Sequence, residues 1–98
     1  MTIDKSAQGT ELQLRLQGRL DTTTAPELEA ALKASLDGIT KLTLDMTGLE
    51  YLSSAGLRVL LYAQKTMSKQ GEMIVANVSE SVLEVFEITG FADILTIE

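Results

Sequence analysis

Strict alternation of leucines with polar residues over Thr10 to Gln17 is the pattern that most limits how this chain can fold. Leu12, Leu14 and Leu16 point to one side of an extended strand, and the charged and amide side chains between them point to the other. Such a strand is typical of a sheet that has one covered face and one wetter face. The stretch Gly18 to Asp21 then breaks the pattern and predicts the end of the strand.

The residues that follow this strand predict an amphipathic helix. Thr24 and Glu27 have the spacing of a capping box, and Pro26 is well tolerated in a first turn. Apolar and small residues then recur at helical spacing on one face: Leu28, Ala31, Leu32, Ser35 and Leu36. The pair Asp37-Gly38 predicts the end of the helix, because glycine readily adopts the left-handed conformation beyond a helix C-terminus.

The rest of the chain continues to alternate strands with helices. Ile3 predicts a short first strand before a turn at Gln8-Gly9. The later segments are a strand at Leu42–Met46, a loop at Thr47-Gly48, a helix at Ser54–Lys69, a strand at Met73–Val78, a helix from Ser79 to Gly90 and a last short strand at Ile94–Ile97. This order favours right-handed crossovers between parallel strands. We therefore predict one α/β domain over residues 1–98, with a mixed sheet flanked by about three main helices.

Composition excludes several kinds of site. The chain contains no cysteine and no histidine, so disulfides, thiolate nucleophiles, Cys/His zinc sites and Ser-His-Asp triads are excluded. No acidic cluster has the spacing of a calcium loop, and we expect no metal and no cofactor. Eight basic against fourteen acidic residues, a net charge of -6, disfavour binding to nucleic acid or to an anionic membrane. Without a signal-peptide core or a long apolar run, a cytoplasmic location is expected.

Two adjacent serines stand between the buried strand and the apolar second helix. Ser53 and Ser54 precede a small pair, Ala55-Gly56, where the helix begins. A serine there can cap the helix by accepting a hydrogen bond from a free backbone amide. The same amides and the helix dipole would also stabilise a phosphate on the hydroxyl. From the residues alone, capping and phosphate acceptance both remain open.

Three stretches of the chain, taken together, resemble a known family of regulators. They are Leu44–Leu49 with Tyr51–Leu57, the tetrapeptide Gly18–Asp21, and the segment from Asn77 through Ile88–Phe91 to Ile94. This combination is similar to the anti-sigma-factor antagonists, small bacterial proteins made of a single STAS domain. The resemblance covers essentially the whole chain.

The resemblance implies a partner-switching function rather than an enzymatic one. In that family the unphosphorylated antagonist binds an anti-sigma factor that is also a serine kinase, and the sigma factor is released. The kinase phosphorylates a serine at the start of the second helix, the pair separates, and a metal-dependent serine phosphatase resets the cycle. We expect a monomer or weak dimer. Two alternatives are a non-switching STAS accessory or scaffold subunit, for example of a lipid-transport ATPase, and a small enzyme.

The family pattern at the switch is commonly Asp-Ser-Ser-Gly, with the phosphate on the first serine. Matching Gly56-Leu57 to that pattern places the acceptor at Ser54, with Ser53 in the position of the aspartate as the alternative acceptor. The resemblance also implies a partner surface. Its expected residues are Asp21, Thr47, Gly48, Ser53, Ser54, Ala55, Gly56 and Arg58. For an enzyme, a lysine or a paired acid would be needed beside Ser54, and the sequence places none there.

Overall fold

The computed structural model describes residues 1–98, which form five strands, three α-helices and one 3₁₀ turn. The strands are β1 (Thr2–Gln8), β2 (Glu11–Leu20), β3 (Lys41–Leu52), β4 (Glu72–Ala76) and β5 (Thr96–Ile97). The helices are α1 (Ala25–Ser35), α2 (Ser54–Ser68) and α3 (Glu80–Thr89), and the 3₁₀ turn is Phe91–Asp93. The predicted α/β class is confirmed.

The strands lie side by side in chain order, with β3 at the centre of the sheet. β1 pairs antiparallel with β2, while β2, β3, β4 and β5 are parallel to their neighbours. Each parallel pair is joined through a helix, as the predicted crossovers require. The prediction of a mixed sheet with the Leu42–Met46 segment near its centre is confirmed.

One face of the sheet carries the hydrophobic core. Leu12, Leu14 and Leu16 of β2 are buried together with the apolar residues of β3, whereas the polar residues between the leucines are exposed. Each helix adds an apolar stripe to this core. The helical side chains in the core include Leu28, Leu32, Leu57, Leu60, Met67, Val82 and Phe86. The prediction of one covered and one wetter face at β2 is confirmed.

Two strand ends differ from the sequence prediction because extra residues interrupt the period of two. β2 continues past Gly18, where φ is +98°, to Leu20. β3 continues past Met46 to Leu52, so the predicted loop at Thr47-Gly48 is wrong and both residues lie in the strand. The register between β2 and β3 shifts twice in this region. Such irregularities break alternation without ending the pairing of the backbone groups.

The outer strands also differ in length from the prediction. β1 is a seven-residue strand rather than a short one, because it pairs with β2 along its whole length. β4 ends at Ala76 and not at Val78, since Asn77 adopts a left-handed conformation with φ of 59°. The last strand is limited to Thr96–Ile97.

The helix boundaries show one capping prediction confirmed and one wrong. Ser79 caps α3, accepting a hydrogen bond from the Val82 amide at 3.3 Å, and Gly90 ends it with φ of +82°. The capping box at Thr24 is absent. The Thr24 hydroxyl instead accepts a hydrogen bond from the Asp21 amide at 2.8 Å and donates to the Arg19 carbonyl at 2.8 Å.

Candidate functional site

The predicted site lies where β2 and β3 end side by side. Leu20 and Leu52 are paired in the sheet, and the Ser53 amide donates a hydrogen bond to the Leu20 carbonyl at 2.9 Å. Asp21 and Ser53 therefore follow directly from two neighbouring strand ends. The carboxyl ends of parallel strands are where loops gather and where α/β folds bind their ligands. The structure thus brings the start of α1 and the start of α2 to the same edge.

Ser53 and Ser54 have different structural roles. Ser53 is the residue that caps α2: its Oγ accepts a hydrogen bond from the Gly56 amide at 3.4 Å, and its carbonyl accepts one from the Leu57 amide at 3.0 Å. The predicted helix start at Ser54 is confirmed, but the residue that caps the helix is Ser53 and not Ser54. Ser54 is the first helical residue, is exposed, and its hydroxyl has no hydrogen-bond partner in the protein.

Gly56 lets α2 begin close against the ends of the two strands. A Cβ atom at this position would lie 2.7 Å from Cγ of Leu20 and 2.7 Å from Cδ1 of Leu52. This is closer than carbon atoms can approach without displacement, so the glycine is needed for close packing rather than for a left-handed backbone. Ala55 beside it is half-buried. Both small residues were predicted to be part of the site, and they place the serines against the sheet edge.

Asp21 organises the start of α1. Its Oδ1 accepts hydrogen bonds from the Thr23 hydroxyl at 2.8 Å and from the amides of Thr23 and Thr24 at 3.0 and 3.2 Å. The hydrogen bond from the Thr23 hydroxyl is the largest influence and lowers the pKa of Asp21, with the backbone amides acting in the same direction against partial desolvation. The carboxylate is therefore held ionised beside the strand ends.

The sequence prediction missed a cation and an aromatic ring at this edge. Arg19 and Tyr51 are paired across β2 and β3, and the guanidinium lies 4.1 Å from the centre of the Tyr51 ring. Arg19 Nε also lies 3.6 Å from the Asp21 carboxylate. The Tyr51 side chain nevertheless remains 42% exposed. Their register could not be predicted from alternation, because a shift separates Gly18 from Arg19 in the pairing.

Arg58 lies four residues after Ser54 on α2 and is exposed. It makes no salt bridge and no side-chain hydrogen bond, whereas Arg15, Arg19 and Lys33 each lie near a carboxylate. α2 contains no acidic residue that could pair with it. Arg58 is thus a free cation on the helix that carries Ser54.

Thr47 and Gly48 lie apart from this edge. They precede Ser53 by five to six residues in an extended strand, roughly 16–20 Å at the usual rise per residue. The Thr47 hydroxyl and amide both donate to Oδ1 of Asp45, the amide at 3.0 Å. Gly48 packs against the Gln17 side chain. Thr47 and Gly48, which were predicted as partner contacts, therefore lie at a distance from Ser54 along β3.

Asp45 is a buried carboxylate that the sequence prediction did not single out. Asn77 Nδ2 donates to its Oδ1 at 3.0 Å, and Arg15 Nε lies 3.3 Å from its Oδ2. Burial alone would raise the pKa of Asp45, but the hydrogen bonds from Thr47, Asn77 and Arg15 outweigh it and lower the pKa to about 2. The Asp45 carboxylate thus links the middle of β2 and β3 to the residue that follows β4.

The surroundings of Ser54 form an exposed surface at the start of α2. No group of three or more histidine, cysteine, aspartate or glutamate side chains is placed to hold a metal ion. No helix is both long and apolar enough to cross a membrane. The exposed hydroxyl of Ser54 has no base within hydrogen-bond distance, so a nucleophilic role would need a partner to activate it.

The sequence of the chain matches a known protein family and several members of it. The family model described as "STAS domain" matches residues 2–98. A putative anti-sigma factor antagonist, BtrV of Bordetella bronchiseptica, is 43% identical over 84 residues, which cover 84% of this chain and 72% of BtrV. The anti-sigma-B factor antagonist of Listeria monocytogenes is 33% identical over 90 residues, covering 89% of this chain and 78% of the relative.

The fold is also that of a solved antagonist. The structure of SpoIIAA in its unphosphorylated form superposes with a TM-score of 0.77 at 17% identity, covering 99% of this chain and 87% of SpoIIAA. The phosphorylated form, from Bacillus, gives the same TM-score of 0.77 at 18% identity, covering 99% and 91%. At this identity the likeness establishes the fold alone. Together with the family model and the closer sequence relatives, it shows that the chain belongs to the STAS-domain family, among the anti-sigma factor antagonists.

Proposed function

We propose that this protein is switched by phosphorylation of Ser54. In this proposal the unphosphorylated form binds an anti-sigma factor with serine kinase activity and so frees a sigma factor. Phosphorylation at Ser54 separates the pair, and a serine phosphatase restores the binding form. Residues 1–98 would act as one domain in the cytoplasm, where sigma factors meet RNA polymerase. The observation that carries the proposal is the exposed, unpartnered hydroxyl of Ser54.

The position of Ser54 explains why a kinase could reach it without unfolding the protein. Its hydroxyl makes no contact that a kinase would have to break, whereas the Ser53 hydroxyl is occupied in capping α2. The first-turn amides of α2 and the helix dipole favour an anion at this place. We therefore assign the acceptor to Ser54 and keep Ser53 as the alternative.

The expected effect of the phosphate is electrostatic. It adds about -1.5 to -2 charges at neutral pH to a protein whose net charge is -6. A partner surface that accepts a small neutral hydroxyl would then meet a bulky dianion. Coupling energies of about 1–3 kcal/mol are typical of such switches and change affinity by roughly 5–150-fold.

The proposed partner surface is centred on the ends of β2 and β3. It comprises Asp21, Ser53, Ser54, Ala55, Gly56 and Arg58, to which the structure adds the exposed Tyr51 with its stacked Arg19. Thr47 and Gly48 remain predicted contacts, but only a partner that extends along β3 would reach them. Aromatic and arginine side chains are enriched at binding hot spots, which supports the inclusion of Tyr51 and Arg19.

The test is a titration of the protein against its anti-sigma kinase with and without ATP. Ser54→Ala should bind the kinase and stay bound when ATP is added, because it cannot accept phosphate. Ser53→Ala is the matched control at the neighbouring position and should still be released by ATP. Ser54→Asp should bind weakly, since its carboxylate supplies part of the charge of the phosphate.

Each pattern of results has a definite meaning. If Ser53→Ala blocks release and Ser54→Ala does not, the acceptor is Ser53. If neither change affects release and the wild-type protein gains no phosphate, switching is wrong. The accessory-subunit role would then be the better description, although the named relatives are antagonists.

A further inference from the structure

Arg58 is an exposed cation that the fold does not use. It makes no ion pair, and the residues three and four positions away on either side of it are Ala55, Leu61, Ser54 and Tyr62. None of these side chains carries a negative charge. An arginine used only to stabilise its own helix would be expected beside an acidic residue at this spacing.

The residue four positions before Arg58 is Ser54. Side chains at i and i+4 are neighbours on a helix surface, with Cβ atoms about 5–6 Å apart. Both residues are exposed, so nothing lies between their side chains and solvent. An anion that precedes a cation by four residues is also the orientation that the helix dipole favours. A phosphate on Ser54 would therefore come within reach of the Arg58 guanidinium.

We propose that Arg58 is the internal counter-ion of phosphorylated Ser54. The planar guanidinium can donate two parallel hydrogen bonds to phosphate oxygens, which a lysine cannot do. Arg58 is free to contact a partner when Ser54 is unmodified, and it turns to the phosphate when Ser54 is modified. Phosphorylation thus adds negative charge and withdraws a positive side chain from the binding surface in one step. This inference rests on Ser54 being the phosphorylated residue.

The other charges near the phosphate are weaker candidates. Arg19 lies opposite Tyr51 in the strand pairing, but its guanidinium already stacks on that ring and its Nε lies 3.6 Å from Asp21. Glu50 and Asp21 are acidic and would repel the phosphate rather than bind it. Lys65 lies eleven residues beyond Ser54 on α2, about 16 Å along the axis. It therefore provides a matched control for loss of one positive charge.

The test uses the full chain with phosphoserine inserted at position 54 during translation. Phosphorus NMR then follows the second ionisation of the phosphate with pH. Arg58→Gln should raise the pKa of the phosphate, corresponding to an acid dissociation constant about twofold smaller. Arg58→Lys keeps the positive charge but loses the paired hydrogen bonds, so it should restore only part of the difference. Lys65→Gln and Arg19→Gln should leave the ionisation close to that of the phosphorylated protein with Arg58.

Several outcomes would overturn the proposal. These are an unchanged ionisation in Arg58→Gln, an equal change in Lys65→Gln, a larger change in Arg19→Gln, or no recovery in Arg58→Lys. The phosphate is inserted without a kinase, so the pH titration tests the contact between Arg58 and the phosphate on its own. Failure of the proposed switching function appears separately, in the titration with the kinase and ATP.

Discussion

At the scale of single residues, two adjacent serines share one chemistry and differ in what surrounds them. The Ser53 hydroxyl accepts a hydrogen bond from the Gly56 amide, while the Ser54 hydroxyl faces solvent without a partner. A phosphate on Ser53 would have to displace the cap, whereas a phosphate on Ser54 would not. The position of the cap at Ser53 therefore makes Ser54 the better candidate for the acceptor.

The stability of the two alanine variants tests this division of roles. Ser53→Ala should lower the free energy of unfolding by about 1 kcal/mol, because the Gly56 amide loses its acceptor. Ser54→Ala should change it by less than about 0.5 kcal/mol, as expected for an exposed position without contacts. Urea denaturation measures both values. The capping assignment is wrong if Ser54→Ala is the more destabilised variant.

Asp45 should make stability depend on pH in the acid range. The pKa of Asp45 is lowered from its ordinary value of 3.8 to about 2, so its ionised form is favoured in the folded protein. This contribution, about 2 kcal/mol from the size of the shift, is present above the pKa of the unfolded chain. It is lost as the pH falls from about 4 towards 2.

The matching variant is Asp45→Asn. At pH 7 it should be destabilised by about 2 kcal/mol or more, since it also places an amide against the donors of Thr47 and Asn77. The difference from wild type should shrink as the pH approaches 2. Asp37→Asn, at an exposed carboxylate without hydrogen-bond partners, is the control. An Asp45→Asn deficit that stays constant with pH would show that the ionised carboxylate is not the source of the stability.

At the scale of elements, the central feature is the unequal length of the parallel strands. β4 ends level with Asp45, whereas β2 and β3 continue as a pair as far as Leu20 and Leu52. This extension carries the start of α2 away from the start of α3. Ser53 and Ser54 therefore stand at the end of a two-stranded projection, and Thr47 and Gly48 lie two and three residues beyond the level where β4 ends.

Packing at the start of α2 can be tested with Gly56→Ala. In an open helix this change stabilises by up to about 1 kcal/mol. Here the new Cβ would lie 2.7 Å from side-chain atoms of Leu20 and Leu52, and overpacking of this kind costs about 1–3 kcal/mol. We expect net destabilisation, measured by thermal or urea unfolding.

A double variant provides the control for this prediction. Leu20→Ala removes one of the two contacting side chains, so Gly56→Ala should cost less in that background than in the wild-type protein. Equal costs in both backgrounds, or a stabilised Gly56→Ala protein, would contradict close packing as the reason for the glycine.

The sequence predicted elements well where periodicity was regular and poorly where it was interrupted. The alternation in β2 and the caps of α3 were read correctly, because each depends on neighbouring residues. The extension of β3 was missed because two register shifts disrupt its period of two. The capping box at Thr24 failed because its hydroxyl has a competing partner, the Arg19 carbonyl, that the local pattern does not show.

The same reasoning applies to the candidate site. The resemblance of motifs located Asp21 and the two serines, which the strand ends bring to one edge. The Arg19–Tyr51 pair depends on the register between strands that a shift separates, and the sequence alone does not supply that register. The buried Asp45 network likewise joins three strands that are distant in the chain.

At the scale of the whole molecule, the proposed partner surface lies at the edge of the sheet where β2 and β3 end. The hydrophobic core lies between one face of the sheet and the helices, and Ser54 lies outside it. A phosphate on Ser54 therefore changes surface charge without disturbing the core. On this account the switch works through electrostatics at the interface, and the fold stays the same in both states.

The most direct test of the switch is to locate the phosphate after incubation with the anti-sigma kinase and ATP. Trypsin cleaves after Lys41 and Arg58, so one peptide, residues 42–58, contains both serines together with Thr43, Thr47 and Tyr51. Fragmentation of this peptide by tandem mass spectrometry must separate Ser53 from Ser54. The account predicts a single phosphate on Ser54, absent from Ser54→Ala and present in Ser53→Ala. A phosphate on Ser53, or none on this peptide while the kinase phosphorylates another substrate, would contradict it.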